Sequence, residues 1–268
     1  MRKFALSLFV GLLAYSVSYG QSFVAYSNVT TFSGSAFSNG GTSAGITRLV
    51  ADDITVDPAF QGGGFWINQI TFSVFNGNAT ALTIRPRLRF WLADGAANGS
   101  GVNDPGTQLA QAFSFNPLSV NANTVATFFF TLTPFQMMLP NGTFWAGITF
   151  DNVGATATNA QTDLFGQGIW GPPTVGSSVD TAFRTTATGS FFVQNNPAGA
   201  QFNFGGTPTA NFGWVFNVTP IPEPTTIGLF GLMLVGAVPA YRRYRRRQLD
   251  SQLDEAEAKA LYNGEGTK

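Results

Sequence analysis

Between Gln21 and Pro220 the chain is a succession of short runs rich in aromatic and β-branched residues, each bounded by Gly, Asn, Pro or Asp. Alternation of period two places successive side chains on opposite faces of an extended backbone, so such runs read as strands and not helices. The pattern predicts strands at Ile46–Val56, Phe65–Phe75, Leu82–Leu92, Thr124–Thr133, Phe144–Asp151 and Phe212–Val218. Strands of this length, separated by loops such as Gly95–Gly106 and Gly154–Asn159, predict an all-β fold: an antiparallel β-sandwich of jelly-roll type. The Gly-, Asn-, Thr- and Pro-rich stretch from Gly171 to Phe212 reads as irregular, and no internal repeat points to a solenoid or propeller.

Whatever core these strands form is held by packing, because the 268-residue chain has no cysteine. The supply of apolar surface is ample, with 27 phenylalanines in the chain, and aromatic side chains bury the largest area per residue. The segment Gln21–Pro220 also lacks His, Lys and Glu. General acid–base chemistry draws mostly on those three and cysteine, so no Ser-His-Asp or Cys-His triad can be assembled there. Zinc and most transition-metal sites, which rely on imidazole or thiolate, are nearly excluded by the same composition. The reading is of a non-enzymatic domain with no cofactor.

The formal net charge of zero sums segments with different destinations. Gln21–Pro220 keeps five arginines (Arg48, Arg85, Arg87, Arg89 and Arg184) against eight aspartates, and is mildly acidic. Nucleic acid, which calls for a basic surface, is not an expected partner.

Both ends read as targeting segments. Arg2 and Lys3 precede the apolar stretch Phe4–Ala14, and Ser18-Tyr19-Gly20 puts small residues at the −3 and −1 positions of a cut between Gly20 and Gln21. Residues 1–20 are therefore expected to be a cleavable signal peptide. At the other end, Pro222-Glu223-Pro224-Thr225-Thr226 is followed by an apolar run, Ile227–Tyr241, and then by Arg242, Arg243, Arg245, Arg246 and Arg247 around Tyr244. Two prolines around one carboxylate keep that backbone extended and accessible to an enzyme. A 15-residue helix spans about 22 Å, short against a hydrocarbon core of roughly 30 Å. It is a marginal anchor whose arginines snorkel to the cytoplasmic interface, leaving the domain facing outward.

This order of segments resembles the PEP-CTERM sorting domain, over residues Pro222–Arg247 alone. The resemblance implies recognition by an exosortase, a membrane transpeptidase-like enzyme that removes the anchor around Pro-Glu-Pro and releases or transfers the protein, in a system associated with exopolysaccharide and biofilm matrix. Family members usually end within a few residues of the arginines, whereas here residues 248–268 follow. That segment, with Leu249 and Leu253 four apart and Asp254, Glu255 and Glu257 ahead of Lys259, reads as a solvated helix in a cytoplasmic tail. The expected layout is a signal peptide (1–20), an exported β-sandwich (21–220), a sorting and anchor segment (221–247, membrane-spanning at 227–241) and the tail (248–268).

Candidate sites in the domain are few. Arg85, Arg87 and Arg89 share one face of the strand Leu82–Leu92, opposite Ile84, Leu88 and Phe90. They form either an anion-binding row or a solvated face protecting an edge strand, with Pro86 marking an edge or bulge. Asp52, Asp53 and Asp57, and separately Asp94, Asn98, Asn103 and Asp104, offer oxygen ligands of the kind Ca²⁺ takes, or are turn formers without EF-hand spacing. Of the tryptophans, Trp66, Trp91, Trp145 and Trp214 lie inside strand patterns and read as core. Trp170, beside Gly171-Pro172-Pro173, is the one expected to be exposed and able to stack on a sugar. The N-x-S/T sequons at Asn28, Asn78, Asn98, Asn141 and Asn217 reflect the Thr/Asn-rich composition. Three readings of function follow in order: an exported structural or exopolysaccharide-associated surface protein, a displayed carbohydrate-binding module, and an Asp-dependent hydrolase.

Overall fold

A computed structural model describes residues 21–109, 112–133, 137–188, 195–206, 209–221, 239, 241–255 and 259. The expected signal peptide, the Pro222-Glu223-Pro224 motif and nearly all of the apolar run Ile227–Tyr241 lie outside the described residues. Among the described residues no helix is long and apolar enough to cross a membrane. The chain divides into two compact units, residues 1–221 and residues 222–268. In the second unit residues 241–255 are helical and exposed, and Lys259 pairs with Glu255 at 2.9 Å one helical turn away.

The first unit is all-β, with two antiparallel sheets. Its strands are β1 (Phe23–Ser27), β2 (Phe32–Ser38), β3 (Arg48–Thr55), β4 (Phe65–Asn76), β5 (Leu82–Leu92), β6 (Phe113–Ser114), β7 (Leu118–Val120), β8 (Thr124–Thr131), β9 (Thr143–Asp151), β10 (Phe165–Trp170), β11 (Ala182–Thr188), β12 (Gly199–Phe202) and β13 (Trp214–Pro220). The first sheet runs β1-β13-β4-β10-β2, with β8 on the other side of β4; the second runs β12-β11-β3-β9-β5, with β6 and β7 in succession along the far side of β5. Among the described residues of this unit, the α-helix α1 (Asn159–Thr162) is a single turn closed by a capping box between Thr158 and Gln161.

Twelve-residue β4 organises the first sheet. Gln69–Asn76 pair with β8 without interruption, while on the other side Phe65–Phe72 pair with β13 and Phe75 and Asn76 with β10. Ser73 sits where those two partners diverge: its N–H donates to Gly213 at 3.0 Å, and its hydroxyl accepts from the Gly168 N–H at 3.2 Å.

The inward residues of both sheets meet in one aromatic core. Trp214 and Phe216 of the first sheet stack at 5.8 Å, and Phe90 and Phe144 of the second close on Phe216 edge-on at 5.9 and 5.3 Å. Edge-to-face and offset pairs of this kind add about 1 kcal/mol each beyond the area they bury. A second, smaller cluster lies on the outer face of the second sheet, where Leu49, Ala51, Trp91, Trp145 and Phe183 are covered by Val102 from the loop after β5. Gly147 lies beneath it: a Cβ there would stand 2.7 Å from Leu49 and 3.0 Å from the Trp91 ring.

Two expectations need correction. Pro86 does not mark an edge strand, because β5 is paired on both sides. The Pro86 carbonyl accepts from the Phe115 N–H, so its imide nitrogen faces the same side, at the break between β6 and β7 where no donor is needed. The stretch 171–212 is not irregular throughout, since β11 and β12 lie within it and extend the second sheet.

With no disulfide, the interlocked rings carry the fold. Phe216→Ala is expected to lower unfolding free energy by about 4 kcal/mol, measured by urea denaturation. Phe129→Ala, at a ring 73 % exposed, is expected to change it by no more than about 0.5 kcal/mol.

Candidate binding groove

The loop that follows β5 is built to fold back on its own sheet. Leu92 and the 106–107 backbone exchange hydrogen bonds of 2.8 and 3.0 Å, and Gly95 and Asp104 pair at 3.0 Å further out. Asp94 caps the base of the loop, accepting from the Thr107 N–H at 2.6 Å and the Thr107 hydroxyl at 2.7 Å. These donors hold the Asp94 carboxyl below the usual carboxylate range. Gly106 is required here, since a Cβ would lie 2.1 Å from the Asp94 Oδ1. The loop tip is tied down where the Trp145 Nε1–H donates to the Asn103 carbonyl at 2.8 Å.

The loop ends beside β12 and leaves a groove of about 510 Å³. Gln201 bridges the two walls. Its amide donates to the Val102 carbonyl at 3.0 Å and to Asp104 Oδ1 at 2.9 Å, and its Oε1 accepts from the hydroxyls of Ser100 and Thr181. Asn98 donates to the same Asp104 oxygen at 2.7 Å. With Phe202 and Asn203 completing the lining, the groove presents amides, hydroxyls and one carboxylate. Such a surface can hydrogen-bond a polyhydroxylated ligand. It holds no second acid or base for proton transfer to be shared between.

The sequence-derived candidates are dispersed. Asp104 and Asn98 line the groove, but Asp94 is engaged with Thr107, and Asn103 contributes its carbonyl to Trp145. Asp52 and Asp53 alternate across β3, and Asp57 instead caps the turn at Pro58–Phe60, accepting from the Ala59 N–H at 2.8 Å. The three therefore do not converge on one cation. Among the described residues no three Asp, Glu, His or Cys side chains are grouped to hold a metal. Gln201, Thr181 and Asn203 were not foreseen, because they belong to the stretch whose composition reads as irregular.

The arginine row is neither a solvated face nor an open anion site. Arg85 lies directly across from Asp151 on β9 and donates to its Oδ1 at 2.7 Å, Arg87 donates to its Oδ2, and Asp151 is buried. Arg89, two residues on, is buried, which lowers its pKa.

Asp52 and Asp53 are the buried acids. Asp52 points into the core, where its Oδ2 accepts from the Phe212 N–H at 2.8 Å. Burial, and then the neighbouring Asp53 charge, push its pKa well above the usual range. Asp53 faces the other way and accepts from the Val179 N–H at 3.0 Å and the Ser178 hydroxyl at 3.2 Å; burial outweighs these donors and raises it to about 7.

Trp170 is half-buried. Its indole lies over Gly168 and Gly213 on the outer face of the first sheet, with the exposed Phe32 ring 5.3 Å away. Trp91, Trp145 and Trp214 are core, as expected, and Trp66 is half-buried. Asn28 is buried and acts as a clamp, donating to the Phe212 carbonyl and accepting from the Trp214 N–H at 2.8 Å.

No family model and no curated protein matches the chain. Among solved structures it is similar to the cysteine protease and lectin-like domains of Cwp84, a surface layer associated protein of Clostridium difficile. Identity is 11 % and TM-score 0.36, covering 65 % of this chain and 33 % of that one. It is also similar to a chain of the infectious bursal disease virus, in the Gx strain, at 13 % identity and TM-score 0.26, covering 80 % of this chain and 47 % of that one. The chain thus spans less than half of each, and likenesses this loose do not establish a shared fold.

Two measurements follow. Both buried aspartates titrate higher in the folded protein than in the unfolded chain, so the folded state holds more protons between about pH 4 and pH 7. Stability is therefore expected to fall as pH rises through that window, and Asp53→Asn is expected to remove the part of the slope that ends near pH 7 in thermal unfolding scans. Asp94 acts in the opposite sense only below about pH 4, where its contribution is lost. Separately, Asp151→Asn leaves two partly buried guanidinium groups facing a neutral amide. It is expected to cost about 3 kcal/mol in urea unfolding.

Proposed function

We propose that the chain is an exported surface or matrix protein: a non-catalytic, jelly-roll-like β-sandwich delivered by a signal peptide and processed by an exosortase at Pro222-Glu223-Pro224. The observation that carries this reading is the order of segments after the domain. A Pro-Glu-Pro tripeptide, an apolar run at Ile227–Tyr241 and five arginines within Arg242–Arg247 follow a domain whose N-terminal side carries a signal-peptide pattern. The apolar run would form a short membrane helix in the precursor, with the exposed helix of the tail on the cytoplasmic side. The lack of His, Cys, Lys and Glu in the domain, and the single acid in its groove, favour a structural role over catalysis.

A second reading, carbohydrate binding by the displayed domain, is favoured by a specific placement. The Trp170–Phe32 pair lies on a sheet none of whose six strands carries a charged residue. Aromatic rings on an uncharged, hydroxyl- and amide-bearing face are suited to stacking on a neutral sugar. The arginine row, by contrast, is engaged with Asp151.

Terminal sequencing and intact mass of the protein recovered from cells and medium test the first reading. The expected product starts at Gln21 and ends within Pro222–Thr226; a membrane-bound product retaining Ile227–Lys268 overturns exosortase processing. For the second, Trp170→Ala is expected to weaken retention on neutral polysaccharide affinity gels at least tenfold while thermal stability changes little, and unchanged retention rejects it.

A further inference from the structure

We propose that β8 is a self-pairing edge through which two copies of the domain join their first sheets into one. Among the described residues, β8 pairs only with β4, and no strand lies along its other side. An edge strand normally carries a device that blocks pairing: a charge, a proline, a bulge or very short length. Thr124-Val125-Ala126-Thr127-Phe128-Phe129-Phe130-Thr131 has none of these. It is eight residues long, free of charge, proline and glycine, and its pairing with β4 runs through eight consecutive partners with no register shift.

The same features select a second copy as the occupant. When an edge pairs with itself about a two-fold axis, the residue on the axis meets its own copy and its neighbours meet their symmetry mates, so a charge at or beside the axis is brought against a like charge. An uncharged edge meets no such repulsion. Here the neutrality extends to the neighbouring strands, because all thirteen charged side chains of Gln21–Pro220 lie outside the six strands of the first sheet.

The pleat fixes the geometry further. Opposed residues in an antiparallel pair point to the same face, so inward Phe128 and Phe130 must oppose inward residues and outward Thr127 and Phe129 outward ones. The axis therefore passes through a residue. At Phe128 it sets Thr127 against the partner's Phe129 and Val125 against the partner's Thr131; at Thr127 it sets Thr127 against itself. Either arrangement pairs seven residues and covers part of the Phe129 ring, which is 73 % exposed in the single chain. The inference does not depend on the mode of export, and its test reads association directly.

Disulfide trapping in the full-length chain is direct because the chain contains no cysteine of its own. Thr127→Cys/Phe129→Cys is expected to give a covalent dimer on mild oxidation in either register, since opposed Cβ atoms in antiparallel strands approach within reach of a disulfide. Thr71→Cys, on the same face but one strand inward, is not expected to cross-link, whereas face-to-face stacking of sheets would trap it. Val153→Cys, exposed elsewhere, gives the background from collision. In light scattering, Thr127→Lys is expected to weaken the dimer at least tenfold, with the folded state verified by its thermal transition. No cross-link above the Val153→Cys background, trapping at Thr71→Cys, or association unaffected by Thr127→Lys overturns the proposal.

Discussion

The fold depends on aromatic contact between two sheets, centred on Phe216. Trp214 stacks on it from its own sheet, and Phe90 and Phe144 reach it from the other. Nothing covalent supplements this contact, since the chain has no cysteine. The polar elements of the interior are subordinate to it. Asn28 and Asp52 both bond to the backbone around Phe212 and so fix the entry into β13, the strand that carries Trp214 and Phe216 inward. Burial raises the Asp52 pKa, so the protonated carboxyl is favoured there over the charged one, whose desolvation would cost more.

Charge is partitioned between the sheets, and the partition gives them different outer faces. The second sheet carries Arg85, Arg87 and Asp151 as an internal ion-pair network, with a loop folded over Trp145 and Trp91. Its outer face is thus largely occupied by its own chain, apart from the groove beside Gln201. The first sheet leaves Trp170, Phe32, Phe129 and a series of threonines and amides on an uncharged surface. A protein that must hold neutral matrix material, or copies of itself, has use for that side more than for the other.

Much of this is legible in the sequence, and some of the failures share a physical cause. The pattern places β5 residue for residue, and β4, β8 and β9 to within two residues, because each is rich in aromatic and β-branched side chains and bounded by turn formers. The pattern does not give β1, β2, β6, β7, β10, β11 or β12; of these, β10 and β12 escape because their glycines resemble turns. In the fold those glycines make room for a neighbouring side chain: a Cβ at Gly168 would stand 2.6 Å from Val125 and 3.2 Å from the Trp170 indole, and one at Gly199 would stand 2.3 Å from the Phe183 ring. Close packing over a strand erases the alternation by which strands are recognised. The groove went unseen for the same reason, since Gln201 and Asn203 follow Gly199. The partnership of Arg85 and Arg87 with Asp151 depends on the register of β5 against β9, which pattern alone does not supply.

The central claim is that the uncharged first sheet is the side through which this domain meets other molecules. Oxidative footprinting of the protein in the cells that make it, against the purified protein, tests that most directly, because Phe and Trp side chains report solvent access individually. The account predicts that Phe32, Phe129 and Trp170 are shielded in the cellular sample while the groove residue Phe202 is unchanged. Shielding of Phe202 with Phe32, Phe129 and Trp170 still reactive would contradict it.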